Sequence, residues 1–255
     1  PYITLDNSTN PISVGVGNPK LEPEHANSYD LLYEQYLKPF GLIQAGAFFK
    51  QLSDPIYYIN NPQASGTPYM INGVVNLASI INGTKATLYG LEGAYVERLS
   101  FLPGPLSGFG ISANYSWTNS SAGHLPLRPD IPKLQRQAPI TWNFNPTYDR
   151  GRFFAAVGVA YTSASIFQYQ YTTPNDPDNI GPKGPAGDNY LYAHLQVDAQ
   201  ASYRVTKSLT ALVQGLNLTD EVFGFYNGSP WYVTQREYYK PTYTFGLRWE
   251  PRREY

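Results

Sequence analysis

The sequence predicts an all-β fold, a transmembrane antiparallel up-and-down β-barrel. Three observations lead to this prediction. Segments of about ten residues alternate apolar and polar side chains, as half-buried strands do, and the connections between these segments alternate in length. Tyrosine also accounts for 23 of the 255 residues. Since tyrosine combines an apolar ring with a polar hydroxyl, it suits strands and loops at a boundary between lipid and water.

The alternation is strictest in segments 109–118, 195–204 and 242–249. In the first of these, one face is apolar and the opposite face consists of Gly, Ser, Asn and Thr, so the segment is predicted to be a strand with two different faces. Six further segments alternate less regularly, which makes nine strands in all: 26–37, 41–52, 85–97, 139–147, 151–163 and 208–219. The phase slips around Gly215, which predicts a β-bulge there.

The connections divide into two classes. Short ones are expected near 38–40, 99–108, 149–150 and 206–207, and long ones at 53–84, 119–138, 164–191 and 220–236. Short turns at one end of the strands and long loops at the other are typical of a transmembrane barrel. The alternative is a secreted soluble β-sandwich, but its Greek-key connections would not sort loop length by end so regularly.

Charged residues indicate which face of the strands meets lipid. A charge on the lipid face costs roughly 2–4 kcal/mol at the bilayer midplane and about 0–1 kcal/mol near an interface. The strand phases of Lys50 and Asp198 place both on the polar, lumen-facing side. Glu97 falls on the apolar face, but at the short-turn end of its strand, where the cost is small.

Composition and motifs exclude several classes of function. The net charge is −1, which gives no reason to expect nucleic acid as a partner, and there is no cysteine. The three histidines, His25, His124 and His194, lack metal-site spacing, and no serine lies in a nucleophile-elbow motif. We therefore predict no catalytic residue, no cofactor and no metal site. The Asn/Asp-rich segment 175–179 lacks EF-hand spacing and is predicted to be a turn.

An odd number of strands raises the question of closure. An open sheet in lipid leaves edge N–H and C=O groups unpaired at several kcal/mol each. Either further strands belong to the barrel, in which case the chain is a fragment, or segment 12–17 supplies a tenth strand. The second option is a self-contained small outer-membrane barrel acting as an adhesin or porin.

Five motifs, in the right order along nearly the whole chain, resemble the TonB-dependent outer-membrane receptor family. These are NPKLEPE at 18–24 followed by a strand with Glu34, AFFK at 47–50 with DPI at 54–56, GLE at 90–92, NLTD at 217–220, and YYKPT at 238–242 leading into GLRW at 246–249. One departure is the tail, since the family ends on an aromatic residue of its last strand. Here either Trp249 or Tyr255 would be the assembly signal.

The resemblance implies a 22-stranded barrel plugged by an N-terminal domain, of which residues 1–255 would be the C-terminal portion, with the plug domain and the N-terminal strands absent. The protein would lie in the bacterial outer membrane and would be a transporter rather than an enzyme. Its partners would be membrane lipid, the TonB complex acting through the plug region, and a scarce small-molecule ligand. A ferric siderophore or similar metal chelate is the ligand that the family implies, and a glycan-importing receptor is the alternative.

Aromatic residues near the long-loop ends are the candidates for ligand contact. Rings close to a strand end also form the interfacial girdle of a barrel, so the same residues have a purely structural interpretation. His194 lies on the polar phase of its strand and is a candidate lumen contact. The candidate ligand-binding residues are Tyr57, Tyr58, Tyr169, Tyr171, His194, Phe225, Tyr226, Trp231 and Tyr232.

Overall fold

A computed structural model describes residues 3–6, 13–64, 75–125, 128–171 and 184–251. The chain is built from strands, and its described helical residues form two 3₁₀ turns, Gly104–Gly108 and Gly184–Gly187. In these ranges no helix has the length and apolarity needed to cross a membrane. The strands are β1 Ile3–Asp6, β2 Ser13–Val16, β3 His25–Leu37, β4 Gly41–Ser53, β5 Ile56–Ala64, β6 Val75–Asn82, β7 Lys85–Arg98, β8 Phe109–Ser121, β9 Ile140–Arg150, β10 Phe153–Thr162, β11 Ser165–Gln168, β12 Asn189–Leu191, β13 His194–Arg204, β14 Leu209–Leu216, β15 Val222–Asn227, β16 Val233–Tyr238 and β17 Thr242–Trp249.

The largest sheet confirms the predicted barrel wall. Its nine strands have the order β17-β14-β13-β10-β9-β8-β7-β4-β3, and every neighbouring pair is antiparallel. The nine correspond to the nine predicted strands, with ends that differ by at most three residues. Within the described residues, β3 and β17 each pair on one side only, so this part of the barrel is an open sheet.

The two faces of the sheet differ as the alternation predicts. Residues that pair across strands share a face, and one row on the apolar face reads Ile43, Tyr95, Ala113, Phe144, Val159 and Val197. The next row, on the polar face, reads Gln44, Ala94, Asn114, Asn143, Ala160 and Gln196. The Asn143 side chain donates a 3.0 Å hydrogen bond to Asn114 within this row. The period-two pattern in the sequence therefore produces a wall with one face for lipid and one for water.

The charged strand residues take the predicted sides. Asp198 pairs with Gly158, two residues along each strand from the Ala160 and Gln196 pair of the polar row and therefore on the same face. Lys50, on that face too, pairs with Ser28 and Leu88. Glu97 lies on the apolar face opposite Ile111, next to the short turn, and accepts a hydrogen bond from the Tyr95 hydroxyl. That bond satisfies part of the carboxylate where the membrane boundary is expected.

The long connections contain more strands than the sequence predicts. The first holds the hairpin β5–β6, which joins β1 and β2 in a four-stranded sheet, and the third and fourth together form the sheet β11-β12-β15-β16. The prediction of plain loops there was wrong because Gly, Pro and Asn residues between short apolar runs concealed the alternation. The pairing also tolerates irregular register at Ile166/Gln168 and Phe225/Tyr226.

Two finer predictions are also wrong. Ser13–Val16 is not a tenth barrel strand, because it pairs in parallel with β6 and antiparallel with β1, in the separate sheet; Ile12 lies outside the described residues. Pairing through Gly215 is regular on both sides, so there is no bulge. The phase slip instead marks the end of β14 at Leu216, after which Asn217 takes a left-handed conformation with φ 53°. Segment 175–179 and Tyr255 lie outside the described residues.

A pair of lysine substitutions tests the assignment of the two faces. Ala113 and Ala94 are at the same height in neighbouring strands, because Tyr95 pairs with Ala113 and Ala94 with Asn114, but they lie on opposite faces. We expect Ala113→Lys to destabilise the protein by roughly 2–4 kcal/mol, as a charge in the membrane midplane does. Ala94→Lys is the matched control, since Ala94 borders a cavity of about 220 Å³ that Glu92 also lines. The measurement is the free energy of unfolding in urea in lipid vesicles, and equal losses in both variants would contradict the assignment.

Candidate ligand vestibule at the long-loop end

Three of the long connections share a small hydrophobic core above the barrel strands, here called the loop core. It consists of Tyr57, Ala122, Leu125, Ile166, Tyr169 and Tyr171, with Ile59, Ile81, Leu134 and Tyr190 packed against it. These residues come from the β4–β7, β8–β9 and β10–β13 connections. Burial of apolar surface between connections that are far apart in the sequence holds them together as one body.

Three tyrosine hydroxyls cross-link the loop core. The hydroxyl of Tyr57 donates to the carbonyl of Ala122 at 3.0 Å, that of Tyr169 to Lys133 at 2.6 Å, and that of Tyr171 to Tyr58 at 3.0 Å. Burial raises the pKa of all three, that of Tyr171 to about 12. Each hydroxyl therefore remains protonated and continues to donate at any ordinary pH.

A buried ion-pair network fixes the β8–β9 connection to the β10–β13 connection. The guanidinium of Arg128 donates to both carboxylate oxygens of Asp188, at 2.5 and 2.9 Å, and to both oxygens of Asp130, each at 2.9 Å. The side chains of Arg128 and Asp188 are 0% and 2% exposed, whereas that of Asp130 is 36% exposed. Asp188 also accepts from the backbone N–H of Gln170 at 2.8 Å. All four oxygens of the two carboxylates are thus used by one arginine.

The NPKLEPE segment at 18–24 fastens the base of the β5–β6 hairpin. Asn82 is the centre of this contact: its amide donates to the carbonyls of Glu22 and Asp54 at 2.9 and 2.8 Å, and its oxygen accepts from the N–H of Glu22 at 2.8 Å. The Glu24 carboxylate accepts from the N–H of Ile56 at 3.3 Å. The motif thus connects the start of β3 to the first long connection.

The NLTD motif at 217–220 similarly anchors the last long connection to β13. The N–H of Asn217 donates to the Asp198 carboxylate at 2.8 Å, and the Asn217 side chain accepts from the N–H of Glu221 at 2.8 Å. The Glu221 carboxylate accepts from the N–H of Leu195 at 3.2 Å. Asn217 tolerates its positive φ better than most residues do, which explains its use at the strand exit.

The eight aromatic candidates fall into a packed group and an exposed group. Tyr57, Tyr169, Tyr171 and Tyr226 are buried, and Tyr226 stacks on Tyr190 with ring centroids 5.1 Å apart. Phe225 packs on Phe167 at 4.9 Å and on Phe223 at 5.3 Å. The exposed group consists of Tyr58, Trp231 and Tyr232, which are 52%, 90% and 62% exposed.

His194 stands apart from the rings. It begins β13 on the polar face, paired with Thr162, and its Nε2 lies 3.4 Å from the Gln196 side-chain oxygen. Its Nδ1 lies 3.9 Å from the Glu221 carboxylate. His194 is therefore part of the strand-end network around Asn217. In the described ranges, no group of three or more His, Asp or Glu residues could hold a metal ion.

Sequence reasoning did not find Arg128, Asp188 or Arg136. The first two are separated by 60 residues, and no local pattern indicates that they meet. Arg136 lines a cavity of about 280 Å³ where the β4–β7, β8–β9 and β10–β13 connections meet, together with Tyr58, Gln135, Phe167, Gln168, Tyr169 and Tyr171. The sequence signal that was available is the concentration of aromatic residues in the long connections, the same connections that form the loop core.

The family profile described as "TonB dependent receptor-like, beta-barrel" matches residues 2–218. Among solved structures, a mutant of the ferric enterobactin receptor from Pseudomonas aeruginosa, in complex with enterobactin, is similar over 93% of this chain and 33% of its own, with TM-score 0.62 and 16% identity. The siderophore receptor PirA from Acinetobacter baumannii gives the same values. The copper transporter OprC is similar over 91% of this chain and 31% of its own, with TM-score 0.58 and 17% identity. The chain spans about a third of the length of these structures. No curated protein matches it in sequence.

Removing the buried carboxylate should loosen the loop core. Asp188→Asn leaves Arg128 as a buried charge without its main partner, which typically costs roughly 3–5 kcal/mol. We expect much faster amide hydrogen exchange at Gln170, whose N–H donates to the Asp188 carboxylate. Exchange should also be faster at Gly228, whose N–H donates to the backbone carbonyl of Asp188, because that backbone loses its anchor. Asp130→Asn is the matched control, and its effect should be smaller because solvent screens that pair. Unchanged exchange in the Asp188 variant would contradict a role for this pair in holding the loops.

The same network predicts a pH dependence. The hydrogen bonds from Arg128 lower the pKa of Asp130 below its ordinary value of 3.8. A lowered folded-state pKa means that the ion pair contributes its full stability above pH 3.8 and loses it as the pH falls through the lowered pKa. We expect the difference in unfolding free energy between wild type and Asp130→Asn to be constant above that pH and to shrink below it. If the difference in unfolding free energy were lost as the pH rises instead, a group other than Asp130 would be responsible.

Proposed function

The chain belongs to the TonB-dependent receptor-like β-barrel family, and from this premise we propose that it is the C-terminal part of an outer-membrane transporter that actively imports a metal chelate such as a ferric siderophore. The observation that carries the proposal is the division of the nine-stranded wall into two ends. All short turns lie at one end of the wall. At the other end the long connections pack together around the loop core, and we call this packed end the vestibule. Long connections that pack together on a rigid wall can hold side chains in a fixed arrangement for binding a ligand.

The open edges of the sheet support the idea that more of the barrel lies outside residues 1–255. Among the described residues, β3 and β17 each leave one edge unpaired, and unpaired backbone groups in lipid cost several kcal/mol each. The structures that the chain matches are about three times as long. We therefore propose a larger barrel, of 22 strands in transporters of this kind, with a plug domain that couples to TonB.

The small closed barrel, acting as adhesin or porin, is not favoured. It requires Ser13–Val16 to complete the wall, whereas this strand pairs with β1 and β6 in another sheet. The proposed protein carries no catalytic residue and works by binding its ligand and then releasing it when the plug moves. The partners we propose are lipid along the apolar face, the TonB complex, and the ligand itself.

The vestibule divides the proposed ligand-binding residues by role. Tyr58, Trp231 and Tyr232 present exposed ring faces on which a planar ligand can stack. Tyr57, Tyr169, Tyr171, Phe225 and Tyr226 lie behind them and hold the connections in place. His194 lies lower, on the polar face of β13, where it would meet a ligand on its way into the lumen.

Energy-dependent uptake is the test. The full-length protein is expressed in a Gram-negative strain without catecholate receptors, and accumulation of radiolabelled iron from ferric enterobactin and from ferric citrate is measured. We expect accumulation of at least one chelate, abolished by a protonophore and in a strain that lacks TonB, because the plug must be moved by work. Surface binding in the cold should persist under both conditions. Uptake that continues without TonB would indicate a passive pore and overturn the proposal.

A further inference from the structure

One arginine lies on the apolar face of the wall, at the short-turn end. Arg150 is the last residue of β9 and pairs with Phe153, so the two side chains share the face that carries Phe144 and Val159. Arg150 is exposed and, in the part of the chain that the structure describes, forms no ion pair. A cation on the lipid side of a barrel is tolerated at the edge of the membrane, where lipid headgroups replace hydrocarbon.

The neighbouring turn aims the guanidinium of Arg150. Its Nη1 donates a hydrogen bond to the carbonyl of Gly104, at the start of the 3₁₀ turn in the β7–β8 connection. The adjacent carboxylate, Asp149, belongs to the opposite face, where it pairs with Phe154. An arginine has five N–H donors, and no other group in the described ranges accepts from this guanidinium. The remaining donors are therefore open to an acceptor from outside the protein.

The β7–β8 connection is the longest of the short turns, and it is uncharged. Its sequence is LSFLPGPLSG at 99–108, whereas the other short turns cover only 38–40, 151–152 and 205–208. Phe101 and Leu106 of this connection are 64% and 48% exposed. Apolar side chains exposed in this way are unfavourable in water but are favourable at a membrane boundary.

The β7–β8 connection packs against the end of β9. Gly108 is buried, and a Cβ placed there would lie 3.0 Å both from the Cβ of Arg150 and from a ring carbon of Tyr148. The Tyr148 ring shares the apolar face and packs edge-on against Phe109, with centroids 4.9 Å apart, and against Phe153 at 6.0 Å. A cation with open donors is thus bordered by a row of apolar rings and by an apolar turn.

We propose that Arg150 and the β7–β8 turn bind one phospholipid of the inner leaflet, with the phosphate diester on the guanidinium and an acyl chain along Tyr148 and Phe153. The fork of an arginine matches the oxygens of a phosphate, and the rings below it match a hydrocarbon chain. The inference rests on the proposed outer-membrane function, which places the short turns at the periplasmic boundary, and adds a specific lipid site to it. A free phosphate ion or an uncharged lipid would satisfy only half of this site.

Binding of phosphatidylglycerol to the full-length protein tests the site. The protein in detergent is titrated with dioleoyl phosphatidylglycerol, and the lipids bound per protein are counted by native mass spectrometry. We expect the wild type to hold one lipid more tightly than the rest. Arg150→Gln should bind that lipid about ten- to a hundredfold more weakly, the usual loss for a charge-assisted hydrogen bond. Dioleoylglycerol, which has the same chains without the phosphate, should not occupy the site, and excess inorganic phosphate should not displace the phospholipid.

Three further variants separate the site from folding. Arg152→Gln is the matched control, because Arg152 lines a cavity of about 510 Å³ with Gln200 and Arg204 on the lumen side, and its affinity should equal that of the wild type. Arg150→Lys keeps the cation and should bind the lipid more tightly than Arg150→Gln does. The double variant Phe101→Ser and Leu106→Ser keeps the guanidinium and should bind about tenfold more weakly, because apolar contact is lost. Far-UV circular dichroism and resistance to SDS before heating check that each variant is folded.

Four results would overturn the site: equal affinity in the wild type and Arg150→Gln, equal losses in Arg150→Gln and Arg152→Gln, unchanged affinity in the double serine variant, or displacement of the lipid by inorganic phosphate. The uptake experiment is judged separately. TonB-dependent uptake together with unaltered lipid binding in Arg150→Gln would refute the lipid site and leave the transport proposal standing, whereas a lipid site in a protein that shows no uptake would do the reverse.

Discussion

Backbone hydrogen bonding between neighbouring strands is the constraint on which the rest of this molecule depends. In lipid, every N–H and C=O of a strand must find a partner in the next strand, because water is not available. The nine strands satisfy this with antiparallel ladders in constant register, such as the thirteen pairs from His25–Ser53 to Leu37–Gly41 between β3 and β4. The β9–β10 ladder omits the pairs of Asn145 and Pro146, and proline has no N–H to donate. Such ladders fix the register, and the register in turn decides which side chains face lipid and which face water. The irregular pairings, at Pro62/Ala64, Ile166/Gln168 and Phe225/Tyr226, all occur in the long connections.

The vestibule is stabilised mainly by side-chain interactions, whereas the wall is stabilised by backbone hydrogen bonds between strands. Its connections are stabilised by burial of tyrosine rings, by tyrosine hydroxyls that bond to carbonyls of other connections, and by the Arg128–Asp188 pair. A buried ion pair adds little net stability compared with apolar packing, but its geometry is demanding. It therefore serves to fix one arrangement of the loops. The exposed rings that we propose for ligand contact, Tyr58, Trp231 and Tyr232, are carried by connections held in this arrangement.

The sequence predicted the wall well and the vestibule only in outline. Nine strands could be located because each repeats a two-residue period long enough to be recognised, and Asp198 and Lys50 could be assigned to a face by the same period. The strand Val222–Asn227 was missed because its alternation lasts only six residues and is bordered by turn-forming residues. Tyr57 and Tyr58 look equivalent in sequence, yet one is 7% and the other 52% exposed. That difference arises because the Tyr57 side chain contacts Ala122 and Tyr169, which are distant in the chain and leave no local signal.

The shared loop core has a consequence for how such a receptor can diversify. Connections that fold independently can be exchanged one at a time, so recognition can change in modules. Here three side chains are each buried against a neighbouring connection, those of Tyr57, Tyr169 and Tyr171. Replacing one connection would therefore remove contacts that stabilise the other two. A substitution disturbs the loop core least where the side chain lies outside it, as at the tip of the β15–β16 hairpin that carries Trp231. Relatives of this chain should therefore differ in specificity by single substitutions at such points more readily than by wholesale loop replacement.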